Sequence, residues 1–218
     1  MRAMLLVLSL LLAAPALAFP TKPILLVVPF APGGSNDIMA RVIGEQMAKS
    51  LGQAVLVENQ AGAAGSIGVA RVAKSEPDGH TLVVISVTFT INAVLQGKQP
   101  FDPVTSFAPV ALIGRSPMVL AVANRLGVKT PAEFLALAKS KPGALNYASA
   151  GVGSSIHMAA ELLKLRTGIS LVHVAYKGGG PAAAAVLAGE SQVMVGTVAS
   201  AIGFINAGRL RPLAAVGL

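Results

Sequence analysis

Apolar residues along this chain come as short continuous runs set between glycine- and proline-rich breaks, and the runs alternate with stretches in which apolar positions recur every three or four residues. The first run, Ile24 to Val28, meets a turn built from Pro29, Pro32, Gly33 and Gly34. Residues 36–51 then place Met39, Ile43 and Met47 four apart, with Ile38 and Val42 beside them and Arg41, Glu45 and Lys49 on a second row suited to solvent. Gly52 ends that helix. A short strand is predicted at 55–58, a glycine-rich loop at 59–65, a helix at 66–74, a turn at Pro77-Asp78-Gly79-His80 and an apolar strand at 81–86. Strands apolar on both faces, alternating with helices, predict a parallel sheet covered on both sides.

Gly97, Pro100, Pro103 and Pro109 punctuate residues 96–109 and mark the expected crossing into a second domain. Strands are predicted at 110–114 and 118–123. Thr130-Pro131-Ala132-Glu133 is a capping box with proline at the first helical position, so a helix starts there and runs to about Ser140. Strands at 145–149, 171–176, 192–195 and 210–216 alternate with helices at 156–166, after Pro181, and at 198–207. The sequence strand, glycine/serine turn, helix start thus occurs at 24–39 and again at 145–158. The free N–H groups at a helix start and the helix dipole make such a turn a ready anion site, and Gly33 and Gly34 carry no Cβ to hold a ligand off. Taken singly, each is also a plain capped connection, with Ser35 or Asn36 as N-cap in the first. Taken as a pair, one per lobe, they are expected to face each other across a cleft beyond the carboxyl ends of the strands.

Composition narrows the class. Of 218 residues, 54% are apolar and only 12% charged, enough for a large core. Arg2, the apolar run at 4–14 and Ala16-Leu17-Ala18 form the n-region, h-region and A-x-A site of a secretory signal peptide, with cleavage expected near Ala18 and a soluble mature chain from Phe19. There is no cysteine, so neither disulfides nor a lipidated cysteine is expected, and a periplasm is the expected compartment. One of the 17 basic residues, Arg2, leaves with the leader, which takes the net charge from +8 to +7. That balance favours anionic partners. The basic residues are dispersed and only 4% of residues are aromatic, which argues against nucleic acid.

Several separated motifs carry a family resemblance. Pro20-Thr21-Lys22-Pro23-Ile24 with residues 27–37, Val57-Glu58-Asn59 with Gly62 and Gly65, Pro77-Asp78-Gly79-His80-Thr81, Phe107-Ala108-Pro109-Val110, Tyr147-Ala148-Ser149 with Gly153, Ser154 and His157, and Tyr176-Lys177-Gly178-Gly179-Gly180-Pro181 together resemble the substrate-binding proteins of tripartite tricarboxylate transporters, the Bug family. The resemblance implies an α/β, two-lobed, periplasmic-binding-protein-like (type II) fold with parallel-rich sheets. It implies a carboxylate gripped by backbone amides of two glycine turns, carried over here to Gly33, Gly34, Ser35, Asn36 and Asp37, and to Gly151, Gly153, Ser154, Ser155 and His157. It further implies hand-over of the ligand to membrane permease subunits. The expected layout is signal peptide 1–18, lobe one 19–100, lobe two 101–210 and a crossover strand 211–218 back toward lobe one. Family members continue beyond the equivalent of Leu218, so lobe one is expected to be incomplete. The family's acidic or aromatic residue near 192–197 is replaced by Met194-Val195-Gly196-Thr197.

Read residue by residue, Asp37 would repel an anion and is assigned to supporting the turn. His157 either pairs with the ligand or sits on a helix surface. His80 and His173 lack metal-ligand spacing and are read as structural, and no metal or cofactor is expected. Lys177 ahead of three glycines is a third anion candidate, although the full phosphate-loop order is absent. Gly62, Gly65 and Gly68 match a dinucleotide pattern only loosely. A secreted hydrolase using Ser149 or Ser154 with His157 ranks below binding, because Tyr147 stands where a nucleophile elbow needs glycine. The expected protein is a monomeric carboxylate receptor, with a ligand-sensing module for a two-component system as the alternative.

Overall fold

The computed structural model describes residues 19–97 and 99–216, so the expected leader and its cleavage near Ala18 lie outside the described residues. Among the described residues, eight strands form two sheets. The first has three parallel strands in the order β2-β1-β3, with β1 Ile24–Val28, β2 Val55–Asn59 and β3 Thr81–Val83. Its helices are α1 Ser35–Leu51, α2 Ser66–Ala73 and α3 Thr88–Leu95. The second sheet has five strands in the order β6-β5-β7-β4-β8. These are β4 Met118–Ala123, β5 Asn146–Ser149, β6 Val172–Ala175, β7 Val193–Thr197 and β8 Leu210–Val216, accompanied by α4 Pro131–Ser140, α5 Ser155–Thr167, α6 Gly179–Ala188 and α7 Val198–Asn206. Strand β5 is parallel to β6 and β7, while β4 runs antiparallel to both β7 and β8. The last strand, expected to cross back toward lobe one, lies along β4 at the edge of this second sheet.

The strand period of two splits the second sheet's side chains between two cores. Leu120 and Val122 of β4 pack with Phe134, Ala138, Tyr147, Ala160, Val193 and Val195 on the α4–α5 side. Val119, Ala121 and Ala123 pack with Ala148, Ala182, Val186, Met194 and Ala201 on the α6–α7 side. Burial on both faces is why 118–123 reads as an unbroken apolar run. A third cluster joins the two halves: Val28, Phe30, Ala40 and Val84 meet Ala150 and Ile156.

Four expectations are corrected. Residues 110–114 form no strand: they are extended chain with Val110 79% and Leu112 76% exposed, and no described strand lies alongside to pair with them. The strand expected at 81–86 stops at Val83, because a helix begins at Thr88. That helix, Thr-Phe-Thr-Ile-Asn-Ala-Val-Leu, hid behind β-branched residues and the lack of a cap. The first sheet is covered on both faces only at β1, since β2 alternates and leaves Leu56 56% exposed. The N-cap of α1 is Gly34, with no side-chain cap bond, rather than Ser35 or Asn36. The capping box at α4 forms in a shifted version: Thr130 Oγ1 accepts from the Glu133 N–H at 3.2 Å, while Glu133 Oε2 accepts at 2.6 Å from the N–H of Lys129, one residue before the N-cap.

Phe134 is fully buried between α4 and the second sheet. Phe134→Ala is expected to lower unfolding free energy by about 3–5 kcal/mol, read as a shift of the urea midpoint at unchanged slope. A loss below about 1 kcal/mol would mean the core beneath α4 can collapse into the space.

Candidate functional site

The first turn leaves the end of β1 and is held from behind by Asp37, which is 4% exposed. Gly33, at φ +81, donates its N–H to Asp37 Oδ2 at 3.0 Å, a backbone conformation that favours glycine. Asp37 Oδ1 accepts from Arg41 Nε at 3.1 Å and from Asn59 Nδ2 at 2.9 Å, and the same amide group of Asn59 also donates to the Phe30 carbonyl at 3.0 Å. Burial pushes the Asp37 carboxyl up, but the hydrogen bonds from Arg41, Gly33 and Asn59 together outweigh it and hold the group below its ordinary 3.8. Both Asp37 oxygens are therefore committed to the turn and to α1. Asn36 donates Nδ2–H to the Val84 carbonyl at 2.9 Å, tying α1 to the end of β3.

With those bonds made, the N–H groups of Gly34, Ser35, Asn36 and Asp37 find no acceptor among the described residues. They are the free donors that any α-helix presents at its start. Directly against them lies a turn of the second half, residues 177–180. The Ala31 N–H donates to the Lys177 carbonyl at 2.9 Å. A Cβ on Gly34 would sit 3.5 Å from the Gly179 nitrogen and 3.6 Å from the Gly180 nitrogen, and those two N–H groups are likewise unpaired among the described residues. Two helix N-termini, those of α1 and α6, thus meet backbone to backbone.

The turn at 151–155 behaves differently. Four of its five amides are already used, and the Val152 N–H alone finds no acceptor among the described residues: Gly151 N–H donates to Ser149 Oγ at 3.1 Å, Gly153 N–H to His157 Nδ1 at 3.3 Å and Ser154 N–H to the Gly151 carbonyl at 3.1 Å. Ser155 N–H donates across the interface to Thr88 Oγ1 at 3.0 Å. Ser154 is the N-cap of α5 and accepts from the His157 N–H at 3.2 Å. Across from this turn stand Ala64, 3.5 Å from where a Gly151 Cβ would be, and the Asn92 side chain, 2.7 Å from a Gly153 Cβ. Residues 24–39 and 145–158 do pack together, through Val28 and Phe30 against Ala150 and Ile156, but their glycine turns are offset from each other. The first turn faces 177–180, and the second faces Ala64, Thr88 and Asn92. Ile156 joins the two contacts, packing with Phe30 and reaching the Gly179 position.

His157 is engaged within its own half of the protein rather than turned toward the first glycine turn. Its ring lies among Tyr147 and His173, its Nδ1 takes the Gly153 N–H, and burial pushes it below its ordinary 6.5. The segment 194–197 lies inside fully buried β7. Where the resemblance implies an acidic or aromatic group, this chain has the Thr197 and Ser200 hydroxyls, 3.0 Å apart, with Ser200 beside the Gly179 position. Ser149 and His173 stand 2.6 Å apart, but Ser149 is wholly buried and gives a substrate no access. His80 accepts the Thr21 N–H at 3.2 Å and packs against Phe19, which anchors the start of the described chain. Sequence reasoning placed Arg41 on a solvated row and passed over Thr88 and Asn92. Asp37 and Arg41 at i and i+4 carried a usable signal for the first, whereas nothing local marks the other two.

Two parallel-rich α/β halves meeting at glycine-rich helix starts define a periplasmic-binding-protein-like fold. A family profile described as "Tripartite tricarboxylate transporter family receptor" matches residues 39–217, and the chain belongs to that family. Among curated relatives, the UPF0065 protein in the tcbD-tcbE intergenic region of Pseudomonas sp. (strain P51) is 40% identical over 92% of this chain and 60% of its own length. Protein BugT of Bordetella pertussis is 37% identical over 93% of this chain and 64% of its own. The chain therefore spans less than two thirds of these relatives. Among solved structures, R. palustris Rpa4515 with adipate superposes with a TM-score of 0.87 at 33% identity, covering 90% of this chain and 66% of that one. MatC (Rpa3494) from Rhodopseudomonas palustris with bound malate gives 0.85 at 34%, covering 91% and 68%. The family supports an extracytoplasmic location.

Because Asp37 titrates lower when folded, its bonds contribute stability fully present above pH 3.8 and lost as pH falls through the folded value. Asp37→Asn is expected to be less stable than the parent protein at pH 7, with the gap closing in acid below the ordinary carboxylate range. Urea unfolding of both proteins at a series of pH values measures this. A gap independent of pH would show that the carboxylate charge does not hold the turn.

Proposed function

We propose that this protein captures a small carboxylate between the N-termini of α1 and α6 and delivers it to the membrane subunits of a tripartite tricarboxylate transporter. The observation that carries this reading is the set of unpaired N–H groups at Gly34, Ser35 and Asn36, set against those of Gly179 and Gly180. Donors fixed by the backbone, at the positive ends of two helices, suit a carboxylate and ask for no cationic side chain. The solved relatives with adipate and malate support a dicarboxylate as the ligand class. In this reading residues 19–100 form one lobe, 101–210 the other, and the protein acts as a monomer in the periplasm after loss of its leader. The Ala31–Lys177 and Ser155–Thr88 bonds are then closure contacts, and ligand enters when the lobes part. The cavity beside the contact, lined by Phe30, Ser66, Thr88 and Asn92, is about 10 Å³, room for about one water and too small for such a ligand. Of the ten residues first assigned to the ligand, Gly34, Ser35 and Asn36 keep that role through their amides. Gly33, Asp37, Gly151, Gly153, Ser154 and His157 support the turns, and Ser155 sits on the closure contact.

Gly180 lies so close to the first turn that a Cβ would overlap the Pro32 carbonyl oxygen and stand 2.8 Å from the Gly33 carbonyl carbon. Gly180→Ala is therefore expected to hold the lobes apart. With malate or adipate at about 100 times Kd, the parent protein gains about 2.7 kcal/mol, a thermal shift on the order of 5–10 °C. The variant is expected to melt cooperatively and to lose that shift. A variant that keeps the full shift would place the ligand elsewhere, and a parent protein with no shift in mono-, di- or tricarboxylates would overturn the reading.

A further inference from the structure

Behind residues 151–155 lies a cluster of rings and charges that carboxylate capture leaves without a task. The rings of Tyr147 and His173 lie 4.9 Å apart at 22°, those of Tyr147 and His157 6.3 Å apart at 19°, and the two imidazoles 4.3 Å apart at 39°. Tyr147 is wholly buried and its hydroxyl donates to Glu161 Oε1 at 2.5 Å. The same oxygen accepts from Lys164 Nζ at 2.8 Å. Each imidazole ends on the turn in front of it. His157 Nδ1 accepts the Gly153 N–H, so its own proton sits on Nε2. His173 Nε2 is 2.6 Å from Ser149 Oγ, and that oxygen accepts the Gly151 N–H. Two amides of the turn are thus fixed by the histidine pair, one directly and one through Ser149. The turn in its fixed position makes the contacts with Thr88 and Asn92 that close the interface.

We propose that His157 and His173 are positioning residues for the turn at 151–155, and that protonating the pair loosens the turn, weakens closure and lowers carboxylate affinity as the medium acidifies. The ligand half of this inference rests on the carboxylate reading above, whereas the loosening of the turn does not. A proton on His157 Nδ1 would confront the Gly153 N–H, replacing a hydrogen bond with two opposed donors. Two imidazolium rings 4.3 Å apart repel each other. The charged and titratable groups facing the pair are Tyr147 from β5 and Glu161 and Lys164 from α5. Glu161 is the single carboxylate among them, and Lys164 already engages it. In agreement, burial pushes both histidines below their ordinary 6.5, with the His157 charge adding to the effect at His173. The pair is neutral and the turn held at neutral pH. The cost of keeping it neutral grows as pH falls below 6.5.

The test uses two non-titrating substitutions that keep the acceptors. His157→Asn offers Oδ1 where Nδ1 stood, and His173→Gln offers a terminal amide to Ser149. Amide hydrogen exchange over 150–158, corrected for intrinsic rates, is compared at pH 7.5 and pH 5 without ligand. The parent protein is expected to lose protection in acid while the double variant does not. Calorimetric titration with malate then gives the ratio of parent to variant affinity at each pH, in which the ionisation of malate cancels. That ratio is expected to fall with pH by about tenfold for each pKa unit of coupling. If the double variant does not melt cooperatively, His157→Asn alone carries the test. Equal protection of parent and variant in acid overturns the inference, as does an affinity ratio constant across pH. Acid-sensitive protection with no malate or adipate binding at any pH overturns carboxylate capture instead and leaves the proton-sensitive turn standing.

Discussion

The rest of the structure depends on a contact made by backbone alone, residues 31–34 against residues 177–180. The Ala31 N–H reaches the Lys177 carbonyl, and Gly180 comes so near Pro32 and Gly33 that no side chain fits between them. Because both segments are helix starts, the approach that joins the halves also gathers their unpaired N–H groups. Glycine here is a requirement of distance as much as of dihedral angle. Everything behind the contact serves to hold it still: Asp37 fixes Gly33, Asn59 fixes Asp37 and Phe30, and Asn36 fixes α1 to β3.

Electrostatics follow the same division. The chain is strongly basic, yet Arg41, the cation at this turn, is spent on buried Asp37. Positive potential at the site comes from two helix termini, and the dispersed lysines and arginines contribute long-range attraction of anions. A recognition surface made of amides keeps its charge at every pH a protein survives. Apart from the ligand's own ionisation, a pH response comes from groups behind the turns: Asp37 behind the first, in acid, and the histidine pair at 157 and 173 behind the second.

Much of the architecture was legible in the sequence. The β1 run, the α1 stripe, the α4 capping box and the apolar β4 all formed where period and punctuation put them, because each is specified by local pattern. The misses are tertiary. Residues 110–114 have strand composition but lack a strand to pair with among the described residues, and α3 is a helix of β-branched residues with Thr88 and Asn92 bonded to partners far away in sequence. At the site, the glycine turns were visible but their pairing was not. The 145–158 turn matches the 24–39 turn more closely in sequence than 177–181 does, yet 177–181 meets the first. Hydrogen bonds separate them, since four of the five amides at 151–155 are bonded, three locally and one to Thr88, while those at 34–37 find no acceptor among the described residues. The supporting role of Asp37 was readable from charge alone, whereas the inward turn of His157 depends on Tyr147 and His173.

The central claim is that backbone amides of α1 and α6 grip a carboxylate. The most direct measurement is a titration of the amide-labelled protein with malate or adipate, followed by proton–nitrogen correlation spectra. Saturable shifts are expected to be largest at Gly34, Ser35, Asn36, Gly179 and Gly180, all with one dissociation constant. Saturable binding that leaves these five amides unmoved would contradict that claim.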